Sequence, residues 1–169
     1  MYRRRHWTLI ALFIIYAATA AGAETLAVSV RLVAAPEDEP RIPELVADVE
    51  EGAMDAMFAN GHIVFDIDQS DMSEASWLGA VTTAREGGAS RLIVIDVRYE
   101  LVRERGVLPR QTDITVVDVE RELDLPIDRI DALDLPGAES QTAEALSLSV
   151  GREAALRALA RVVEGTTSW

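Results

Sequence analysis

Cysteine and lysine are both absent from this chain of 169 residues. Without cysteine there is no disulfide, no thiol nucleophile and no cysteine-ligated zinc or iron–sulfur cluster. Histidine is scarce, since it occurs only at His6 and His62, so a histidine metal cluster is excluded. Neither a G-x-S-x-G nucleophile motif nor a glycine-rich phosphate loop is present, and Gly87-Gly88 matches neither pattern. We therefore expect no cofactor, and the absence of these motifs argues against an enzyme.

The first 23 residues have the pattern of a bacterial secretory signal. Three arginines at positions 3–5 supply a positive start, residues 8–20 are almost wholly apolar, and "AGA" at positions 21–23 offers small residues for cleavage. An uncleaved anchor is the alternative, but the apolar run is shorter than the roughly 20 residues of a spanning helix. We expect cleavage after Ala23. Residues 24–169 would then form one domain in the periplasm or outside the cell.

Basic residues are few relative to acidic ones, and removal of the signal makes the imbalance larger. The whole chain has a formal charge of −13, with 29 acidic residues. Loss of the three arginines at positions 3–5 leaves −16. Such a surface repels nucleic acid and anionic lipid, so we expect neither nucleic-acid binding nor a stable membrane anchor after cleavage. The oligomeric state does not follow from the composition.

Hydrophobic periodicity predicts the element order β-α-β-α-β-β-(β)-α in a mixed sheet packed by three helices, an α/β fold bordering on α+β. Pro43 begins the first helix and Gly61 ends it, because proline suits a helix start and glycine a left-handed stop. Residues 124–141 read as loops with a possible short edge strand. The other predicted strands are 25–33, 62–68, 90–102 and 112–123. A second helix is capped at Ser70, Asp71 or Ser73 and ends at Gly87-Gly88, and a last helix spans about residues 142–163.

The run "RLIVIDV" is typical of a central strand that is covered on both faces. We expect Ile93 and Ile95 to be buried on one face and Val94 on the other. Asp96 interrupts this run, and an aspartate there is costly to bury without a partner. Arg98 and Arg85 are the expected partners.

Two helix-to-strand passages give the chain a recognisable order. One helix ends in "EEGAMDAMFANG" and leads into "HIVFDI", and the next ends in "AREGGAS" and leads into "RLIVIDVRYEL". Over residues 26–123 this order resembles the small envelope α/β domain of the TolB amino-terminal region. It is also similar to the curli secretion-pore protein and to the outer-membrane lipoproteins that activate penicillin-binding proteins. The resemblance implies docking onto envelope components, or assembly into larger structures, rather than catalysis. It transfers no site residue, and the chain lacks the lipid-attachment cysteine of the lipoproteins.

Asp66, Asp68 and Asp71 follow the second strand and are the candidate metal ligands. Their oxygens suit Ca²⁺ or Mg²⁺, and ligands often bind beyond the carboxyl ends of strands in α/β sheets. An EF-hand loop starting at Asp66 would need glycine at its sixth position and glutamate at its twelfth, where the chain has Asp71 and Trp77. The alternative is a solvated strand end followed by a helix cap.

A predicted hairpin carries the one local concentration of positive charge. It consists of Arg98, Arg103, Arg105 and Arg110. Glu100 and Glu104 alternate with these arginines, so the hairpin is either a solvated tip or a docking loop for an acidic protein or peptide.

The sequence thus favours an exported, non-enzymatic α/β domain that binds a protein or another envelope component. The alternative is a divalent-cation-binding protein or a carboxylate-metal enzyme centred on Asp66, Asp68 and Asp71. A carrier of small ligands would need a deep apolar pocket, which a sequence does not reveal.

Overall fold

The computed structural model describes residues 24–67, 77–125 and 128–166. These ranges contain six strands, three α-helices and two short 3₁₀ turns. The strands are β1 (Thr25–Ala34), β2 (Ile63–Asp66), β3 (Arg91–Val102), β4 (Gly106–Asp118), β5 (Leu123–Asp124) and β6 (Asp128–Asp131). The helices are α1 (Ile42–Ala59), α2 (Trp77–Glu86) and α3 (Ala143–Thr166), and the 3₁₀ turns are Ala132–Asp134 and Ala138–Ser140.

The strands form one mixed sheet in the order β2-β1-β3-β4-β5, and β6 also pairs with β4. β1 is parallel to β2 and to β3, as expected of strands joined through helices. β4 runs antiparallel to β3, so the predicted hairpin is confirmed. The α/β fold and the order of elements are therefore confirmed. The short strands β5 and β6 lie at the start of the region that the sequence predicted as loops with a short edge strand.

β3 is the central strand, with β1 on one side and β4 on the other. Ile93 and Ile95 are fully buried in the larger core, and Val94 is buried in the smaller core on the opposite face. The predicted burial of these three side chains is confirmed. The apolar run from Leu92 to Ile95 is continuous because both faces of the sheet are covered here, by the larger core on one side and the smaller core on the other.

The larger core lies between the sheet and the helices α1 and α3, whose first turns lie near each other, since Arg41 at the start of α1 pairs with Glu144 at the start of α3. Gly52 and Gly151 allow these helices to cross closely. A Cβ atom at Gly52 would overlap the carbonyl oxygen of Leu148, and one at Gly151 would overlap the carbonyl oxygen of Val49. The two backbones are therefore in direct contact, and only glycine fits at either position.

α2 covers the opposite face of the sheet only in part. Its buried residues, Ala80, Val81 and Ala84, belong to the small core that includes Leu92 and Val94. This core ends where Asp96 begins the polar half of β3. No other described helix packs on this face, so the rest of it is open on the described part of the chain. No helix in the described ranges is both long enough and apolar enough to cross a membrane.

Candidate functional site

The open half of the sheet carries a row of four charged side chains in register. Arg31 of β1 lies opposite Asp96 of β3, Asp96 lies opposite Asp113 of β4, and Asp113 lies opposite Arg129 of β6. We call these four residues the charged row. Side chains alternate between the two faces of a strand, so Arg98 and Gln111 lie on the same face in the next row.

Each carboxylate of the charged row is paired with the arginine on its outer side. Nε and Nη2 of Arg31 donate to Oδ1 and Oδ2 of Asp96, both at 2.5 Å. Nε of Arg129 donates to Oδ1 of Asp113 at 2.6 Å, and Nε2 of Gln111 donates to Oδ2 of Asp113 at 3.2 Å. These charge-assisted bonds offset the cost of holding two aspartates opposite each other on neighbouring strands.

The partner of Asp96 differs from the expected one. We predicted Arg98 or Arg85, but the ion pair is formed by Arg31, which is 65 residues away in sequence. Arg85 instead donates to the carbonyl oxygen of Val119 and to the carboxylate of Glu122. Arg98 is exposed and makes no ion pair with the described residues. β1 and β3 are adjacent and parallel, and this pairing brings Arg31 beside Asp96.

The four arginines of the hairpin are placed in three different settings. Nη2 of Arg105 donates to the carbonyl oxygens of Ala138 at 2.7 Å and of Gln141 at 3.1 Å, so this side chain ties the hairpin to a 3₁₀ turn. Arg110 lies 3.5 Å from the carboxylates of both Glu100 and Asp131.

Arg98 and Arg103 are exposed, and within the described ranges neither forms an ion pair. The four arginines therefore differ in their partners. Their role in docking stays a prediction.

The predicted metal site is only partly within the described residues. Asp66 ends β2 and is exposed, whereas Asp68 and Asp71 lie outside the described residues. Within the described ranges, no three or more histidine, aspartate or glutamate side chains are grouped so that they could hold a metal ion. A metal site formed by Asp66, Asp68 and Asp71 stays a prediction.

The surface of α1 has a different electrostatic character from the open sheet face. Partial burial raises the pKa of Asp48, and the neighbouring carboxylates of Glu144, Glu51 and Glu44 raise it further. Like charges are close together here and only partly compensated. In contrast, the charged row holds equal numbers of positive and negative groups.

Three members of the charged row were not singled out from the sequence, although a signal for two of them exists. Polar and apolar residues alternate in the sequence around these two: Ser29 and Arg31 with the valines and leucine of β1, and Asp113 and Thr115 with Ile114 and Val116 in β4. Such alternation predicts that one face of a strand is in contact with water. It does not predict which strands are neighbours or in what register, so the row appears only in the folded sheet.

No protein-family model matches the sequence, and no curated protein matches it either. Among solved structures, a dodecamer of PelC from Paraburkholderia phytofirmans, in a variant with one substitution, is similar. It has 14% identity over 81% of this chain and 89% of that chain, and a TM-score of 0.50.

The C-terminal domain of LpoB from Escherichia coli has 14% identity over 63% of this chain and 80% of that one, with a TM-score of 0.44. TolB from Acinetobacter baumannii has 12% identity over 81% of this chain and 28% of that one, with a TM-score of 0.38. The predicted resemblance to small envelope α/β domains is confirmed at the level of the fold, and at these identities it extends to the fold alone.

Proposed function

We propose that this chain is an exported, non-enzymatic α/β domain of the bacterial envelope that binds a protein through its open sheet face. This polar face consists of Arg31, Asp96, Arg98, Gln111, Asp113 and Arg129. The observation that carries the proposal is the charged row, which lies in register across four strands.

The geometry of the polar face suits recognition because its charged groups are held in place before any partner arrives. Asp96 and Asp113 keep 21% and 17% of their side-chain surface exposed, and both are fixed by arginines on rigid strands. Arg129 is 66% exposed and Arg98 is also exposed, so both can donate to a partner. Preorganised groups lose little conformational entropy on binding.

Charge also favours this face as the docking surface. The chain as a whole is strongly acidic, with a formal charge of −13, and most of its surface therefore repels an acidic protein. The polar face offers arginines next to carboxylates and can pair with both signs of charge. The fold supports contact between proteins, since the similar PelC structure is a dodecamer.

The test is affinity capture from the native envelope with the wild-type protein and two charge-reversed variants. Arg98→Glu changes the polar face, and Arg152→Glu makes the same change at an exposed position of α3. We expect a partner that is captured by the wild type and by Arg152→Glu, and is lost from Arg98→Glu. Equal capture by both variants, or capture of nothing by the wild type, would contradict binding through this face.

A further inference from the structure

β1 extends beyond the strand that pairs with it at the edge of the sheet. β2 pairs with β1 only from Thr25 to Val28, whereas β1 continues to Ala34. Over the described ranges, no strand pairs with the second half of β1 on that side. An unpaired strand edge is a template for another strand.

The direction of the backbone groups in β1 follows from its bonds to β2. The amides of Ile63 and Ile67 donate to the carbonyl oxygens of Glu24 and Val28, so even-numbered residues of β1 face the β2 side. Backbone groups alternate along a strand, and the register of β1 against β3 is regular up to Leu32 and shifts between Leu32 and Ala34. Val30 and Leu32 therefore direct their N–H and C=O groups to the same side, past the end of β2. These groups form the open edge.

The side chains of the open edge are apolar and unusually free of negative charge. Leu32 and Val33 are each 46% exposed. Residues 25–36 contain no acidic residue, and their single charge is Arg31, which is paired with Asp96. In a chain with a net charge of −13, this segment is a place where two copies can approach without carboxylates facing each other.

We propose that the open edge of β1 pairs with the same edge of a second copy of this chain, in antiparallel orientation and centred on Leu32. A twofold axis at Leu32 lets both copies of this residue exchange N–H···O=C bonds and brings their side chains together. A register centred on Arg31 would instead oppose two like charges. The two sheets then join into one.

This proposal concerns the sheet edge and not the polar face, and it can be tested on the purified protein alone. The protein is expressed with residues 1–23 and purified in the processed form that the cell produces. Its mass is then measured by sedimentation at protein concentrations of about 1 to 100 μM. We expect the measured mass to rise from that of one chain to that of two chains as the concentration increases. Leu32→Arg places two positive charges opposite each other, and we expect at least about tenfold weaker self-association. Leu32→Pro removes an outward donor and leaves the ladder to β3 intact, so we expect the same loss.

Leu101→Arg is the matched control, because Leu101 is 72% exposed at the far end of β3. We expect this variant to associate like the wild type. Hydrogen exchange of the wild type adds a readout that needs no variant, since the amide of Leu32 should become protected as the concentration rises. A wild type that stays monomeric at the highest concentration, or that gains no protection at the amide of Leu32, would overturn the proposal.

Discussion

At the scale of single residues, Tyr99 joins three elements. It is 2% exposed, and its hydroxyl lies 2.8 Å from the carbonyl oxygen of Leu45 in α1 and 3.2 Å from Oγ of Ser147 in α3. We expect Tyr99→Phe to lower the free energy of unfolding by about 1 to 2 kcal/mol, because it leaves buried groups without this partner. Urea unfolding measures the change. Ser149→Ala is the control, since this hydroxyl bonds only within its own helix, to Ala145. A loss in Tyr99→Phe no larger than in Ser149→Ala would contradict the role of the hydroxyl.

The same tyrosine predicts a dependence of stability on alkaline pH. Burial raises the pKa of Tyr99; the hydrogen bond with Ser147 lowers it, and Asp48 raises it. The folded state therefore keeps the proton of the Tyr99 hydroxyl to higher pH than the unfolded state, in which tyrosine ionises at about pH 10. The free energy of unfolding should be unaffected by this group below that pH and should fall as the pH rises above it.

Absorbance of tyrosinate checks this directly, because Tyr99 is the only tyrosine after residue 23. We expect the folded protein to titrate at clearly higher pH than the protein in urea. Coincident titrations would show that the hydroxyl is in contact with water.

The aspartates after β2 give a test at the same scale. If Asp66, Asp68 and Asp71 only end a strand and begin a helix, calorimetric titration with Ca²⁺, Mg²⁺ and Mn²⁺ will detect no binding tighter than about 100 μM. Tighter binding that disappears in Asp68→Ala would instead favour the cation-binding alternative.

Asp96 illustrates what the sequence could predict at the residue scale. Its position in an apolar strand predicts that it needs a positive partner, because an unpaired buried carboxylate is costly. The identity of that partner depends on the pairing of β1 with β3, which joins Arg31 to Asp96. The prediction that Asp96 pairs with an arginine near it in the sequence, such as Arg98, was therefore wrong.

At the scale of elements, the contact between α1 and α3 depends on glycine. We expect Gly151→Ala to lower the free energy of unfolding by about 1 to 3 kcal/mol, because the new methyl group would overlap the carbonyl oxygen of Val49. Gly79 is an exposed glycine in α2, and there the same substitution should be neutral or stabilising by up to about 1 kcal/mol. Thermal or urea unfolding of both variants gives the comparison. Stabilisation by Gly151→Ala would mean that the helices do not touch at this point.

Helices and strands were predictable here because each has a local signal. Pro43 and Gly61 bound α1, and the alternation in β3 follows from the pleat of a strand. The close crossing of α1 and α3 was not predictable, because glycines at positions 52 and 151 only gain meaning once the helices are side by side. The same reason applies to the open edge of β1, which depends on the length of β2 relative to β1.

At the scale of the whole molecule, the sheet has one well-covered face and one face that α2 covers in part. The order of elements and the mixed sheet followed from the sequence. The uneven covering of the described part of the sheet did not, because it is seen only when α2 is placed on the strands.

The location of the whole protein can also be predicted. The three arginines, the short apolar run and the small residues at positions 21–23 predict export and removal of the first 23 residues. The chain that starts at Glu24 contains no cysteine for lipid attachment, and its acidic surface is repelled by anionic headgroups. We therefore expect the native protein to be recovered in the periplasmic or released fraction with a mass that begins at Glu24, as measured by mass spectrometry. A mass that includes residues 1–23, in a membrane fraction that resists salt and carbonate, would show that this segment is an anchor and that the polar face works close to the membrane.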